Sequence, residues 1–157
     1  MDWFVFARWL HVIGATVLLG TGSGIAFFML LAHRTHDPRL IAHVVSTVVI
    51  ADFVFTATAV VLQPITGIWL ASLTGRPFST PWILASIGLY FLTGALWLPV
   101  VWMQKTMRDL ARTAADKGEP LPPRYFVLFR AWFLCGIPAF GAVLAIIWLM
   151  IARPALW

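Results

Sequence analysis

Four long apolar stretches, separated by short polar segments, set the pattern of the chain. They cover about residues 3–32, 41–73, 82–110 and 125–152, and the third ends in a polar extension. About 20 apolar residues in helical form cross the core of a bilayer, so each stretch predicts a membrane-spanning helix. Short connections between long helices favour antiparallel neighbours. The pattern therefore predicts one all-α domain over residues 1–157, an integral membrane four-helix up-down bundle.

The composition also points to a lipid environment. Hydrophobic residues make up 61% of the chain and charged residues only 11%, whereas a soluble domain carries about 25% charged residues. The net charge is +5, but the basic residues lie mostly between the apolar stretches, so we expect a lipid bilayer and no nucleic acid as partner. A single cysteine, Cys135, excludes a disulfide within the chain.

The positions of the basic residues predict the orientation of the bundle. Eight of the 11 Lys and Arg residues lie in or beside the first and third connections: Arg34, Arg39, Lys105, Arg108, Arg112, Lys117, Arg124 and Arg130. The other three, Arg8, Arg76 and Arg153, lie toward the opposite side. Because cytoplasmic loops carry the excess of positive charge, we expect these two connections in the cytoplasm and both termini in the periplasm.

Polar side chains form one stripe on the second span and one on the third, when each span is projected at 100° per residue. The stripe on the second span consists of Asp52, Thr56, Ala59, Gln63, Thr66 and Gly67. The stripe on the third span consists of Ser86, Tyr90, Thr93, Gly94, Trp97, Gln104, Lys105 and Arg108. We expect the stripes to face each other inside the bundle, because polar groups are costly in lipid. Lys105 or Arg130 would then pair with Asp52, either as a structural ion pair or as a catalytic proton relay.

His11 lies among small residues on the first span. Ala7, Gly14, Ala15 and Gly22 share its face, which predicts a flat slot beside the imidazole, of the kind that a planar macrocycle needs. Gln63 and Tyr90 lie at a similar depth and complete a predicted pocket. The alternative interpretation is a histidine satisfied by a hydroxyl or carbonyl group, with the glycines serving close helix packing.

Several segments carry a resemblance to known families. They are RWLHVIGA (8–15), GTGSGIAFF (20–28), ADFVFTATAVVLQPITG (51–67) and LWLPVVWMQ (96–104). With them the whole chain resembles a family of small bacterial integral membrane proteins of unknown function, which implies a location in the bacterial inner membrane. The start of the first span also resembles, more distantly, HemJ-type protoporphyrinogen oxidases and CopD-type copper-resistance proteins. HemJ-type proteins bind b-type haem, so this resemblance implies that His11 is an axial-ligand position.

We weigh three functions on these observations. The first is a redox protein, a haem-dependent oxidoreductase with haem b and a porphyrin or quinone-type ligand. Its cofactor site would consist of His11 as iron ligand with Gly14, Gly22, Gln63, Tyr90 and Trp97, and its proton path of Asp52, Lys105 and Arg130. The second is a non-enzymatic small permease, or an assembly subunit of a homodimer or larger membrane complex. The third, ranked lowest, is metal handling by His33, His36 and His43.

Overall fold

Across residues 2–156, which a computed structural model describes, the chain forms four long helices and no β-strand. They are α1 (Trp3–Thr35), α2 (Pro38–Thr74), α3 (Pro81–Lys117) and α4 (Pro123–Ala152). All four are long and apolar enough to cross a membrane, which confirms the predicted all-α bundle. At 1.5 Å per residue the 37 residues of α3 extend about 55 Å, so its polar end projects beyond a hydrocarbon core of about 30 Å.

Proline and glycine mark the ends of the helices. Pro38, Pro81 and Pro123 occupy the first position of α2, α3 and α4, where the missing N–H costs no hydrogen bond. Gly75 and Gly118 follow the last residues of α2 and α3 with φ values of 63° and 68°, a conformation that favours glycine. The resulting connections are short, and consecutive helices run antiparallel.

The two ends of the bundle differ in packing. We call the end that holds the α1–α2 and α3–α4 connections the loop end, and the opposite end, with both chain termini, the terminal end. At the loop end all four helices share one apolar cluster, which includes Met29, Ile41, Val45, Met107, Tyr125 and Trp132. At the terminal end a smaller cluster of Trp82, Ile83 and Leu149 joins only α3 and α4.

Helix α2 changes its main neighbour along its length. Its first half packs against α3, whereas its second half packs mainly against α1. The terminal half of the bundle is therefore divided into an α1–α2 pair and an α3–α4 pair. The loop half is closely packed throughout.

The change of neighbour in α2 coincides with a break in its helical geometry. Residues Asp52–Thr56 form a π-helical turn, in which the N–H of Ala57 donates to the carbonyl of Asp52. A π turn contains one residue more than an α turn. A projection at 100° per residue therefore assigns the residues after the turn to the wrong face of the helix relative to those before it. The prediction of one continuous polar stripe on α2 is wrong for this reason.

Candidate functional site

The first half of the predicted stripe forms a polar cluster in the middle of the bundle. Asp52 is only 4% exposed and begins the π turn. Thr56, one turn further, and Trp97 and Gln104 from α3 lie within hydrogen-bonding reach of its carboxyl group. Asp52 is 14 residues beyond the start of α2, about 21 Å along the helix. We call these four residues the Asp52 cluster. The cluster shows that the two polar stripes meet at this depth.

The hydrogen bonding inside the Asp52 cluster is incomplete. Thr56 Oγ1, Trp97 Nε1 and Gln104 Oε1 are buried and make no hydrogen bond of normal length and angle with the residues described. A buried polar atom without a partner costs about 1–3 kcal/mol, and such atoms are rare in folded proteins. Polar atoms gathered around a carboxyl group in this way, on a π turn, mark a candidate site for a small ligand.

The predicted ion pair is not formed. Lys105 and Arg130 are both exposed, and within residues 2–156 the one salt bridge joins Arg108 and Asp109 at 2.8 Å. Lys105 follows Gln104 directly, so it lies on another face of α3 than the residue that reaches Asp52. Long cationic side chains also extend toward water more readily than into a bundle interior. Asp52 therefore has no cationic partner among residues 2–156.

The second half of the predicted stripe turns toward α1 and surrounds His11. The Nδ1 atom of His11 lies 2.8 Å from Thr66 Oγ1, and the Thr66 hydroxyl lies 2.8 Å from the carbonyl of Leu62, to which it donates. A hydroxyl has one hydrogen, so Nδ1–H donates to Thr66 and the lone pair is left on Nε2. The amide of Gln63 donates to the backbone carbonyl of His11 at 2.9 Å.

The small residues beside His11 serve close contact between α1 and α2. The side chain of Gln63 fills the space that a Cβ atom on Gly14 would need. Gly67 faces the imidazole, with its Cβ position 3.5 Å from His11 Cε1. Gly22 is exposed and lies more than two turns away from this contact. The flat slot predicted for a macrocycle is thus filled by α2, as the alternative interpretation of His11 expects.

Tyr90 joins the two helix pairs through a proline. Pro64 has no N–H, so the carbonyl of Val60 one turn earlier loses its helical partner. The hydroxyl of Tyr90 donates to this carbonyl at 2.8 Å. Tyr90 thereby connects α3 to the second half of α2, and its hydroxyl bonds to Val60, not to His11.

The residues predicted to enclose a haem are divided among three contacts. Gln63 lies with His11, Tyr90 bonds to Val60, and Trp97 belongs to the Asp52 cluster. In this arrangement they do not fit a porphyrin ligated by His11.

The remaining histidines lie at the loop end. The ring of His33 stacks on Phe129 with 3.6 Å between centroids and 4° between planes, and its Nδ1 is 3.4 Å from the hydroxyl of Tyr125. Among residues 2–156 no group of three or more His, Cys, Asp or Glu side chains is placed to hold a metal ion. The metal-handling hypothesis gains no support.

Three features of the site cannot be predicted from the sequence. The π turn has no signal in a single sequence, because Asp52–Thr56 contains no proline or glycine that would mark a break in the helix. The Gln104 side chain is a member of the predicted stripe, but its unpartnered oxygen follows only from three-dimensional packing. The carbonyl freed by Pro64 is predictable, whereas its partner Tyr90 is not.

Comparison with known proteins defines the family. A family model described as a predicted integral membrane protein (DUF2269) matches residues 5–154. The chain belongs to this family of four-helix integral membrane proteins, as its sequence segments suggest. No curated protein and no solved structure matches the chain. The more distant resemblance to haem-binding and copper-resistance proteins stays a prediction.

Proposed function

We propose that this protein is a small, non-enzymatic membrane carrier. In it, Asp52 binds either the transported ion or an ion whose movement is coupled to the transport of another solute. The observation that supports this most directly is a buried carboxyl group without a cationic partner, held in the membrane interior by a π turn. An isolated ionised carboxylate is costly in such surroundings, so binding of a proton or a small cation stabilises it. We place the carrier in the bacterial inner membrane.

The packing of the bundle supports two conformations of such a carrier. Asp52 lies where the closely packed loop half meets the divided terminal half. In such a change the terminal half of α2 would stay with α1, since His11, Gln63 and Thr66 bind them together. Separation of the α1–α2 pair from the α3–α4 pair would open a path to Asp52 from the terminal end, and it requires the Tyr90 hydrogen bond to break.

Ion movement in vesicles tests this function. The purified protein is placed in lipid vesicles that contain a pH-sensitive or a sodium-sensitive dye, and a potassium gradient with valinomycin sets the membrane potential. We expect the wild type to carry an ion at a rate well above that of empty vesicles. Asp52→Asn should abolish the movement, because an amide neither ionises nor releases a proton.

Asp109→Asn is the matched control for this measurement. Asp109 is a carboxyl group on α3 that is exposed and paired with Arg108, so its removal should leave the rate unchanged. Equal rates for wild type and Asp52→Asn, or no movement of any ion by a well-folded wild type, would refute a carrier function centred on Asp52.

Haem binding at His11 stays a second prediction, because the His11 tautomer has a feature that favours it. With Nδ1–H bound to Thr66, the lone pair lies on Nε2, the atom that would ligate iron. Metal-bound histidines usually donate their other N–H to a carboxylate, a backbone carbonyl or water, and the Thr66 hydroxyl is an acceptor of similar kind. Haem would require Gln63 to leave Gly14. A Soret band in protein from haem-replete cells that disappears in His11→Ala would support haem binding, whereas a colourless wild type would contradict it.

A further inference from the structure

We infer that the ion bound at Asp52 is a proton, and that Gln104 is the residue that accepts the hydrogen bond of the protonated carboxyl group. This deepens the proposed carrier function and rests on it only for the movement of the proton, since binding can be measured without transport. The juxtaposition that carries the inference is an acidic group facing a fully buried amide whose oxygen has no partner.

The polar atoms around Asp52 suit both states of a carboxyl group. The ionised form accepts hydrogen bonds only, and Thr56 O–H, Trp97 N–H and the amide N–H of Gln104 are available donors. The protonated form also donates one hydrogen bond and therefore needs an acceptor. Gln104 Oε1, on a side chain that is 1% exposed, is a buried acceptor without a partner in the cluster.

Gln104 can serve both states because its amide carries a donor and an acceptor. Rotation of the amide by half a turn exchanges N–H for the carbonyl oxygen at the position facing Asp52. A leucine or methionine of similar volume would fill the space, but it could neither donate a hydrogen bond to the carboxylate nor accept one from the protonated carboxyl group.

No neighbouring charge takes the place of the proton. The other three helices carry these ionisable groups within or at the edge of their apolar stretches: His11 and His33 on α1, Tyr90, Lys105 and Arg108 on α3, and Tyr125, Arg130 and Cys135 on α4. Lys105 and Arg130 are exposed, and the three described hydrogen bonds of His11, His33 and Tyr90 go to Thr66, Tyr125 and Val60. None of these groups forms a salt bridge with Asp52.

The binding step changes the charge of the cluster from minus one to zero. The proton joins one oxygen of the Asp52 carboxylate, and the new O–H donates to Gln104 Oε1. A metal cation would instead have one carboxylate, one amide oxygen and one hydroxyl as ligands, fewer oxygen atoms than hard cations usually take.

Infrared difference spectroscopy of the full-length protein in detergent tests the inference. A protonated carboxyl group in an apolar interior gives a C=O stretching band that is separate from amide bands. We expect this band to grow as the pH is lowered, to be absent in Asp52→Asn, and to move to higher frequency in Gln104→Leu, where one hydrogen bond is lost. Gln63→Leu, which removes the other glutamine of the membrane interior, should leave the band in place.

Each other result contradicts a distinct part of the inference. A band that is absent at every pH at which the protein stays folded excludes the proton as ligand. A band that sodium or ammonium ions remove at constant pH shows that a cation occupies the site instead. A band that does not move in Gln104→Leu excludes Gln104 as the acceptor. Proton binding in detergent without proton movement in vesicles would leave the inference intact and refute only the carrier.

Discussion

Tyr90 repairs the hydrogen bond that Pro64 removes. Its hydroxyl donates to the Val60 carbonyl, which would otherwise be an unpaired polar atom inside the bundle. The repair comes from another helix, so one proline produces a contact between α2 and α3. A single hydrogen bond therefore helps to hold the α1–α2 pair against the α3–α4 pair.

The coupling between these two residues can be measured. We expect Tyr90→Phe to lower the free energy of unfolding by about 1 kcal/mol, the usual net value of one hydrogen bond. In a Pro64→Ala background the backbone N–H returns to Val60, so the same change should cost much less. Unfolding of the four proteins in mixed detergent with SDS gives the double-mutant cycle. Equal costs in both backgrounds would show that the tyrosine does not compensate for the proline.

Two glycines of α1 give a matched pair of substitutions. At Gly14 a Cβ atom would meet the Gln63 side chain, whereas at Gly20 it would meet nothing within 4 Å. We expect Gly14→Ala to displace the Gln63 amide from the His11 carbonyl and to lower the free energy of unfolding by about 1 kcal/mol, the usual net value of one hydrogen bond, and Gly20→Ala to be neutral or stabilising by up to about 1 kcal/mol. Thermal unfolding in detergent measures both. A Gly14→Ala protein as stable as Gly20→Ala would contradict the close approach of Gln63.

At the scale of the element, the π turn at Asp52–Thr56 decides which helix each half of α2 faces. The extra residue separates a first half that faces α3 from a second half that bonds to α1 through Gln63 and Thr66. The turn itself contributes Asp52 and Thr56 to the polar cluster. The same turn therefore sets the packing and the candidate site.

Single-residue deletions distinguish the π turn from ordinary helix. Val54 lies in the π turn and Val61 in regular helix, and both are more than half exposed. Deleting Val54 leaves enough residues for an α turn. The residues after it should therefore still face the same neighbouring helices. Deleting Val61 rotates the rest of α2 by about 100° and breaks the His11–Thr66 bond.

We expect the Val54 deletion to remain monodisperse in detergent with a modest loss of thermal stability, and the Val61 deletion to lose most of its folded protein. The Val54 deletion should still lose ion movement, because the Asp52 cluster changes shape. The reverse order of stability would show that the turn does not set the phase of α2.

The elements that the sequence predicts best are those that depend on composition alone. The spans follow from hydropathy, and the prolines and glycines at their ends follow from backbone chemistry. The sequence predicts a pairing of Asp52 with Lys105 or Arg130 because these residues lie at similar depths in the membrane. Depth in the membrane does not determine which face of its helix a residue occupies, or in which direction its side chain extends. The slot at His11 was expected from the glycines of one helix, and only the second helix shows that Gln63 fills it. Helical phase beyond the π turn could not be projected, since the turn itself has no sequence signal.

At the scale of the whole molecule, the bundle is asymmetric along the membrane normal. The loop half has one apolar cluster formed by all four helices, and the terminal half has two separate helix pairs. Asp52 lies between these halves. The unequal distribution of basic residues follows the same axis, with the larger number near the loop end.

The orientation of the bundle can be tested with fusions at both termini. Since eight basic residues lie near the loop end and three near the terminal end, we expect both termini outside the cytoplasm. An alkaline phosphatase fused to either terminus should be active, and a fluorescent protein that folds only in the cytoplasm should be dark. As a control, fusion within the 118–122 connection should give the opposite pattern. Fluorescence at the termini would reverse the assignment.

The hydrogen bond between His11 and Thr66 also bears on how the protein is made. These residues are 55 positions apart, so the ribosome has finished α1 long before Thr66 exists. Until the second half of α2 arrives, the Thr66 hydroxyl that pairs with the imidazole is missing, and the His11 carbonyl has only its bond within α1. We therefore expect the α1–α2 hairpin, and not the first helix by itself, to be the smallest unit that enters lipid with these polar groups satisfied.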